Sequence, residues 1–349
     1  MSGAAPPGPS GGLRPPARPG PPAHPNPWAR WVAFLDRREP GTSLALFRIA
    51  VGLCLLYAVS SVVWSGALPA LWLNPADGGY TVVGRPWLFR QLGGVTPAAV
   101  WAVTGVCLAA ALLLVVGLAG RLAALVALQT YLALTGLNPD ASGSYDGVFT
   151  NALWLLVLAS STATLSLGCR LRTGRWASDR PATAWPRYLV IYQLVLIYCS
   201  TGLHKLSACW TPVGGYSALY YTLQQPTWQR WDMSWLAWAY PLTQAATALT
   251  WFWEVSSPLL LLALWYRATR DRPGRLRALF NRLNFRRWFV AVGVAMHLTV
   301  FAFMEVGPFT WITLAFYVCL YHPNEWREWW QHLADWLARR SATPGKPDS

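Results

Sequence analysis

Long apolar runs, separated by short polar and arginine-bearing stretches, dominate the chain from Leu44 to Tyr321. Several reach the ~20 residues that an α-helix needs to cross the hydrocarbon core of a bilayer. The runs predict about eight helical spans, at 44–66, 98–118, 121–137, 148–168, 185–203, 241–266, 288–303 and 306–321. The last two share a tight turn at Glu305-Val306-Gly307-Pro308 and are open to a second description, a re-entrant hairpin. Counts from seven to nine therefore fit the pattern. Ahead of the first run, residues 28–38 alternate Trp, Val, Phe and Leu with Arg and Asp, as a short interfacial amphipathic helix does. Pro40-Gly41 breaks that pattern, and Thr42 or Ser43 is placed to cap the next helix. Backbone groups cannot stay unpaired in lipid, so the predicted fold class is all-α, a polytopic integral membrane helical bundle.

Composition strengthens this reading. Of the 349 residues 54% are hydrophobic and 12% charged, against about 25% charged in an ordinary soluble domain. The 23 tryptophans suit the headgroup zone, which indole favours. A net charge of +14 raises the question of nucleic acid, but the arginines cluster in short loops between apolar runs. That is the distribution that sets membrane topology, and no nucleic-acid partner is expected. With eight spans, 23 of the 28 lysines and arginines fall on one side. Only Arg85, Arg90, Lys205 and Arg230 fall on the other, and Arg48 sits inside the first span. The split predicts cytoplasmic termini and places Lys205, with the long 204–240 segment, on the non-cytoplasmic side.

Residues 1–27, rich in Pro, Gly and Ala, contain no apolar core; they are expected to be disordered and form no signal peptide. A single membrane domain is expected over 28–335, with a polar tail at 336–349. The six cysteines form no C-x-x-C pair, and the five histidines are scattered, so no metal site is predicted. No internal repeat is visible, which weakens a transporter reading.

Candidate chemistry is confined to a few polar positions. His204 and Lys205 end a long apolar run, where a cation calls for explanation because it is costly at membrane depth. Lys205 either snorkels to water along its four-carbon stem or is buried and able to act as a base. Arg48 lies one turn into the first span and either snorkels or pairs with an acid. Glu254, in Trp251-Phe-Trp-Glu-Val-Ser-Ser-Pro258, should be neutral or paired, with Lys205, Arg48 and His297 as available partners. His297 is surrounded by apolar residues and reads as a helix-contact residue or a ligand-facing group. After Lys205 come Trp210, Gly214-Gly215-Tyr216 and the aromatic run Leu219-Tyr-Tyr-Thr222. That segment is too polar to span and too aromatic for an ordinary solvated loop. It is placed to lie along the membrane surface and roof a hydrophobic cavity on the non-cytoplasmic side.

Several stretches, in order, resemble the HTTM domain, the membrane core of vitamin K-dependent gamma-carboxylases. Leu44-Ala-Leu-Phe-Arg48-Ile-Ala-Val-Gly52 is similar to that family's opening helix. Gly202-Leu-His-Lys205-Leu-Ser-Ala-Cys-Trp210 with Gly215-Tyr216-Ser is similar to the segment bearing the base lysine. Glu254-Val-Ser and the region from His297 through Pro323-Asn-Glu-Trp326 resemble later parts of the domain. The resemblance implies that Lys205 deprotonates a reduced, vitamin K-like quinone. Oxygen then adds, the strong base so formed takes a proton from a carbon acid, carbon dioxide traps the carbanion, and the quinone leaves as an epoxide. It also implies roles for His204 beside the lysine, for Arg48, Glu254 and His297 as polar supports, and for Trp210, Gly215 and Tyr216 in ligand binding. The chain ends soon after this region, without the carboxylases' large lumenal part, and Leu165-Ser-Leu-Gly-Cys169 stands where they carry a functional histidine. A protein substrate is accordingly not expected, and the expected partner is a quinone or another isoprenoid membrane lipid. The competing expectation is a non-catalytic lipid-binding or assembly protein on the same scaffold, with Lys205 as an interfacial anchor.

Overall fold

Asn26 accepts a hydrogen bond from the Ala29 amide (2.7 Å) and Pro27 follows it, so helix α1 (Pro27–Leu35) starts at the edge of the described residues. These are residues 26–341 of a computed structural model. Of the segment 1–27 expected to be disordered, 1–25 lies outside the described residues, as does 342–349, while Pro27 is already helical. The architecture is all-helical apart from one short antiparallel pair, β1 (Arg38–Pro40) with β2 (Pro181–Thr183). The helices that matter below are α2 (Thr42–Trp64), α3 (Pro97–Val116), α4 (Gly120–Thr135), α5 (Ser144–Leu158) and α6 (Trp185–Leu203). They are followed by α7 (Tyr240–Val255), α8 (Pro258–Ala268), α9 (Phe285–Phe303), α10 (Phe309–Tyr317) and α11 (Pro323–Ser341).

Helices α2, α3 and α9 are long and apolar enough to cross a membrane, and α7 with α8 makes a fourth if the bent pair is one span. Helix α4 and the stretch Phe309–Leu320 are apolar but shorter. Exposed Leu53, Leu112, Leu122, Trp154, Leu249 and Leu298 line the outer helix faces. Faces of this kind suit lipid, which is as apolar as leucine, and the chain reads as a multi-pass membrane protein. The core runs through Phe47, Leu55, Leu114, Leu128, Phe149, Leu194 and Phe316.

Several expected boundaries shift. The fourth run was expected to stay helical to 168, but α5 stops at Leu158. Its polar continuation, Ser160 to Thr164, folds back instead, and Ser166 caps a separate short helix, Leu167–Thr173. Neither Thr42 nor Ser43 caps α2; Gly41 takes that position without a side-chain bond, and Ser43 Oγ donates to the Tyr321 carbonyl (2.9 Å). The polar tail expected from 336 is helical as far as Ser341.

The strand pair fixes the geometry of the bundle. β1 leads into α2 and β2 into α6, so both helices start at one end of the molecule. Arg187, at the start of α6, grips Glu39 of β1 through two bonds (2.6 and 2.9 Å) and also donates to the Cys319 carbonyl (3.1 Å). At the same end Arg286 of α9 holds Glu325 of α11 (2.7 and 2.6 Å) and the Leu320 carbonyl (3.1 Å). Nineteen residues of α6, at about 1.5 Å each, carry the chain to the far end, where Lys205 follows.

Candidate functional site

A proline produces the bend that positions Glu254. Pro258 has no N–H, and its ring would strike the carbonyl four residues back, that of Glu254. The helix breaks at Ser256-Ser257, and α8 leaves at 56° to α7. The Glu254 carbonyl accepts the Ser257 amide instead (3.1 Å), and Ser257 Oγ donates to Val195 of α6 (3.2 Å). Polar backbone freed at depth is thereby satisfied within the protein, as a bilayer requires.

The buried Glu254 side chain meets Lys205, and the two form an ion pair between α7 and the end of α6. Lys205 Nζ also lies over the Trp210 ring, 4.4 Å from its centroid. An ammonium against an indole face is held by the ring quadrupole, so Lys205 is fixed from two sides. Gly202 allows the close approach: a Cβ there would lie 3.0 Å from both the Glu254 Cβ and the Val255 amide. Lys205 therefore does not snorkel freely.

A second polar group lies behind the pair. Tyr198 Oη is 2.7 Å from His297 Nε2 and 2.8 Å from Tyr317 Oη, all three buried. Tyr198 also packs its ring on Trp253 (4.5 Å between centroids), the residue before Glu254. Trp253 Nε1 donates to the Phe289 carbonyl of α9 (3.0 Å), which locks α7 against that helix. His297 Nδ1 is buried without a partner among the described residues. An unsatisfied buried nitrogen costs about 1–3 kcal/mol.

The 204–240 segment covers this end. It contains the helix Ala218–Leu223, whose Leu219 amide donates to Thr247 Oγ1 of α7 (3.2 Å). Gly215, in the left-handed region, offers its carbonyl to Gln244 Nε2 of α7 (2.6 Å), and Tyr216 follows with φ of 52°. Further along, Gln229 bridges to Met304, and Arg230 pairs with Glu305 (2.8 Å). Gly215 and Tyr216 thus shape the cover over α7, while Trp210 touches the lysine itself.

Two expected members are absent from the cluster. His204 is exposed and turns back on its own helix, with Nδ1 2.8 Å from the Ser200 carbonyl. Arg48 lies at the opposite end and neither snorkels nor pairs with an acid. It is fully buried, donating to the carbonyls of Leu114 (2.9 Å) and Leu165 (2.6 Å). Leu114 is in the last turn of α3, whose carbonyls lack helical partners, so Arg48 serves as a cap supplied by another helix. Tyr198 and Tyr317 were not anticipated. Each sits in an apolar, aromatic-rich helix, and a phenol there looks like core until its hydroxyl is seen to have a partner.

Two clefts among the described residues lie away from Lys205. One of about 1010 Å³ opens beside Arg175, Asp179 and Arg327, and one of about 300 Å³ beside Arg38 and Arg180. The chain matches no family model, no curated protein and no solved structure.

Proposed function

We propose that the Lys205–Glu254 pair is the acid–base centre of a membrane protein that binds a reduced quinone or a related isoprenoid lipid, as its resemblance to the carboxylase membrane core implies. The observation that carries the reading is the meeting of these two ionisable groups under Trp210 at the end of the bundle. The surrounding residues suit such a ligand. Trp210 offers an aromatic face, the ion pair offers a proton acceptor, and His297 Nδ1 offers an unused polar atom.

A quinol would supply an acidic hydroxyl and a ring that can be oxidised. The protein's part is the proton. In the ion-paired form the accepting lone pair is on Glu254, and Lys205 remains as the cation beside the oxygen that loses its proton. In the neutral form, with the proton moved across the contact, the amine of Lys205 accepts. Tyr198, which is hydrogen-bonded to both His297 and Tyr317, packs on Trp253 beside Glu254.

The full topology belongs to the same proposal: about eight crossings, both termini cytoplasmic, and the Lys205 end facing the periplasm, the exterior or a lumen. It is supported by the arginine distribution and by the shared end of α2 and α6.

The test is oxygen-dependent epoxide formation from a reduced naphthoquinone by protein in nanodiscs, with wild type beside Lys205→Ala, Lys205→Arg and Glu254→Gln. Epoxide from wild type but neither lysine variant makes the amine the base, since arginine keeps its charge at working pH. Epoxide retained by Lys205→Arg but lost in Glu254→Gln moves the base to the carboxylate. No epoxide from folded wild type leaves the pair as an interhelical clamp in a lipid-binding or assembly protein.

A further inference from the structure

At the end opposite Lys205, four arginines from separate parts of the chain converge on one cleft of about 300 Å³: Arg38 of β1, Arg121 of α4, Arg172 of the Leu167–Thr173 helix and Arg180 before β2. Two are anchored as parts of the fold. Arg121 reaches the Ala159 carbonyl (3.3 Å) and Ser160 Oγ (3.1 Å), and Arg172 reaches the Thr162 carbonyl (2.7 Å). The acids nearby do not neutralise the set. Asp36 contacts Arg38 from an exposed position (3.2 Å), and Asp179, next to Arg180, is paired outward with Arg327 (2.6 Å). Ser160, Thr162 and Thr183, each with a hydroxyl, line the same cleft.

We infer that this cleft binds a phosphate group, and that its source is the headgroup of an anionic phospholipid. Guanidinium forks match phosphate oxygens two at a time, and hydroxyls complete the shell. Its surroundings argue for lipid over free phosphate. The short helix that supplies Arg172 exposes Leu171, the stretch between it and Arg180 exposes Trp176, and α1, which leads into β1, exposes Trp28 and Trp31. Apolar and indole side chains beside a basic cleft place it at the headgroup level, where basic pockets at helix ends hold anionic lipids. The clustering of arginine at this end, which sets topology, thus gains a second use in lipid recognition.

The test is native mass spectrometry of the purified full chain with phosphatidylglycerol or phosphatidylcholine. The Arg38→Gln/Arg180→Gln variant spares both anchored arginines. Arg270→Gln/Arg275→Gln, exposed and outside the cleft, removes the same charge elsewhere. The expected result is selective retention of phosphatidylglycerol by wild type and by the control, and roughly thirtyfold weaker retention by the cleft variant. Millimolar inorganic phosphate should not displace the lipid; displacement would reassign the cleft to soluble phosphate. Equal retention of the two lipids, or equal loss in both double variants, would overturn the proposal by showing a diffuse charge effect.

Discussion

Glu254 and Lys205, 49 positions apart in the chain, close an ion pair that ties the elbow of α7 to the end of α6. Each residue is out of place in its apolar neighbourhood taken alone. Together, under Trp210, they hold α6 and α7 at one point. The first consequence concerns stability. Removing one partner strands the other, and for a buried pair that costs about 3–5 kcal/mol. Lys205 keeps some solvent access, so Glu254→Gln is expected at or below the lower end. Lys205→Met combined with Glu254→Leu, which leaves no orphan charge, should recover most of the loss. Thermal unfolding in detergent reads both; equal damage from the single and double variants would contradict the pairing.

Arg48 gives the sharpest contrast between anchoring and capping. A snorkelling arginine tolerates lysine, whereas Arg48 must reach two carbonyls, of Leu114 and Leu165, from one planar group. Arg48→Lys should therefore destabilise by about 1–3 kcal/mol per carbonyl left unpaired. An unfolding temperature within error of wild type would restore the interfacial reading.

Gly293 marks the tightest approach around the tyrosine–histidine cluster. A Cβ there would collide with Tyr317 Oη and lie 2.6 Å from Trp253 Cζ2. Gly293→Ala is expected to cost about 1–3 kcal/mol through overpacking. It should also detach the Tyr198–Tyr317 contact, seen as a changed tyrosine signal in difference infrared spectra. Helix propensity alone would make the same change favourable, so the sign of the effect is the test.

The Glu325 clamp predicts an acid limit on stability. Burial opposes ionisation of this carboxyl, but hydrogen bonds from Arg286 and the His322 amide, with the charges of Arg286 and Arg267, outweigh it and hold its pKa at about 2. The folded value lies below the ordinary 4.5, so its stabilisation is complete above the unfolded value and disappears as pH falls through the folded one. On the order of 3 kcal/mol is available at neutral pH. Wild type should lose this between roughly pH 5 and pH 2, while Glu325→Gln should show a flatter curve that converges with it at low pH. Parallel curves across that window would remove Glu325 from the account.

The chain's local order fixed a good deal. Apolar run lengths located the helices, with α6 at 185–203 as expected and α2, α3 and α4 within two residues of their expected ends. The reason is that in lipid the backbone must pair within its own segment, so hydrophobic length and helix length coincide. Run length failed where a polar sequence could satisfy itself differently, as at Ser160–Ser166, and where Pro258 split one run into α7 and α8. It also singled out Lys205, Glu254 and His297, because an ionisable residue at depth needs a partner. Which partner it has is another matter. Only packing brought Lys205 to Glu254, gave His297 to Tyr198, moved Arg48 to carbonyls at the far end and gathered four arginines around one cleft. Helix periodicity says which face a side chain occupies but not which helix it faces. That depends on side-chain fit between segments far apart in the chain, such as the meeting of Gly202 with Val255, and no local pattern records it.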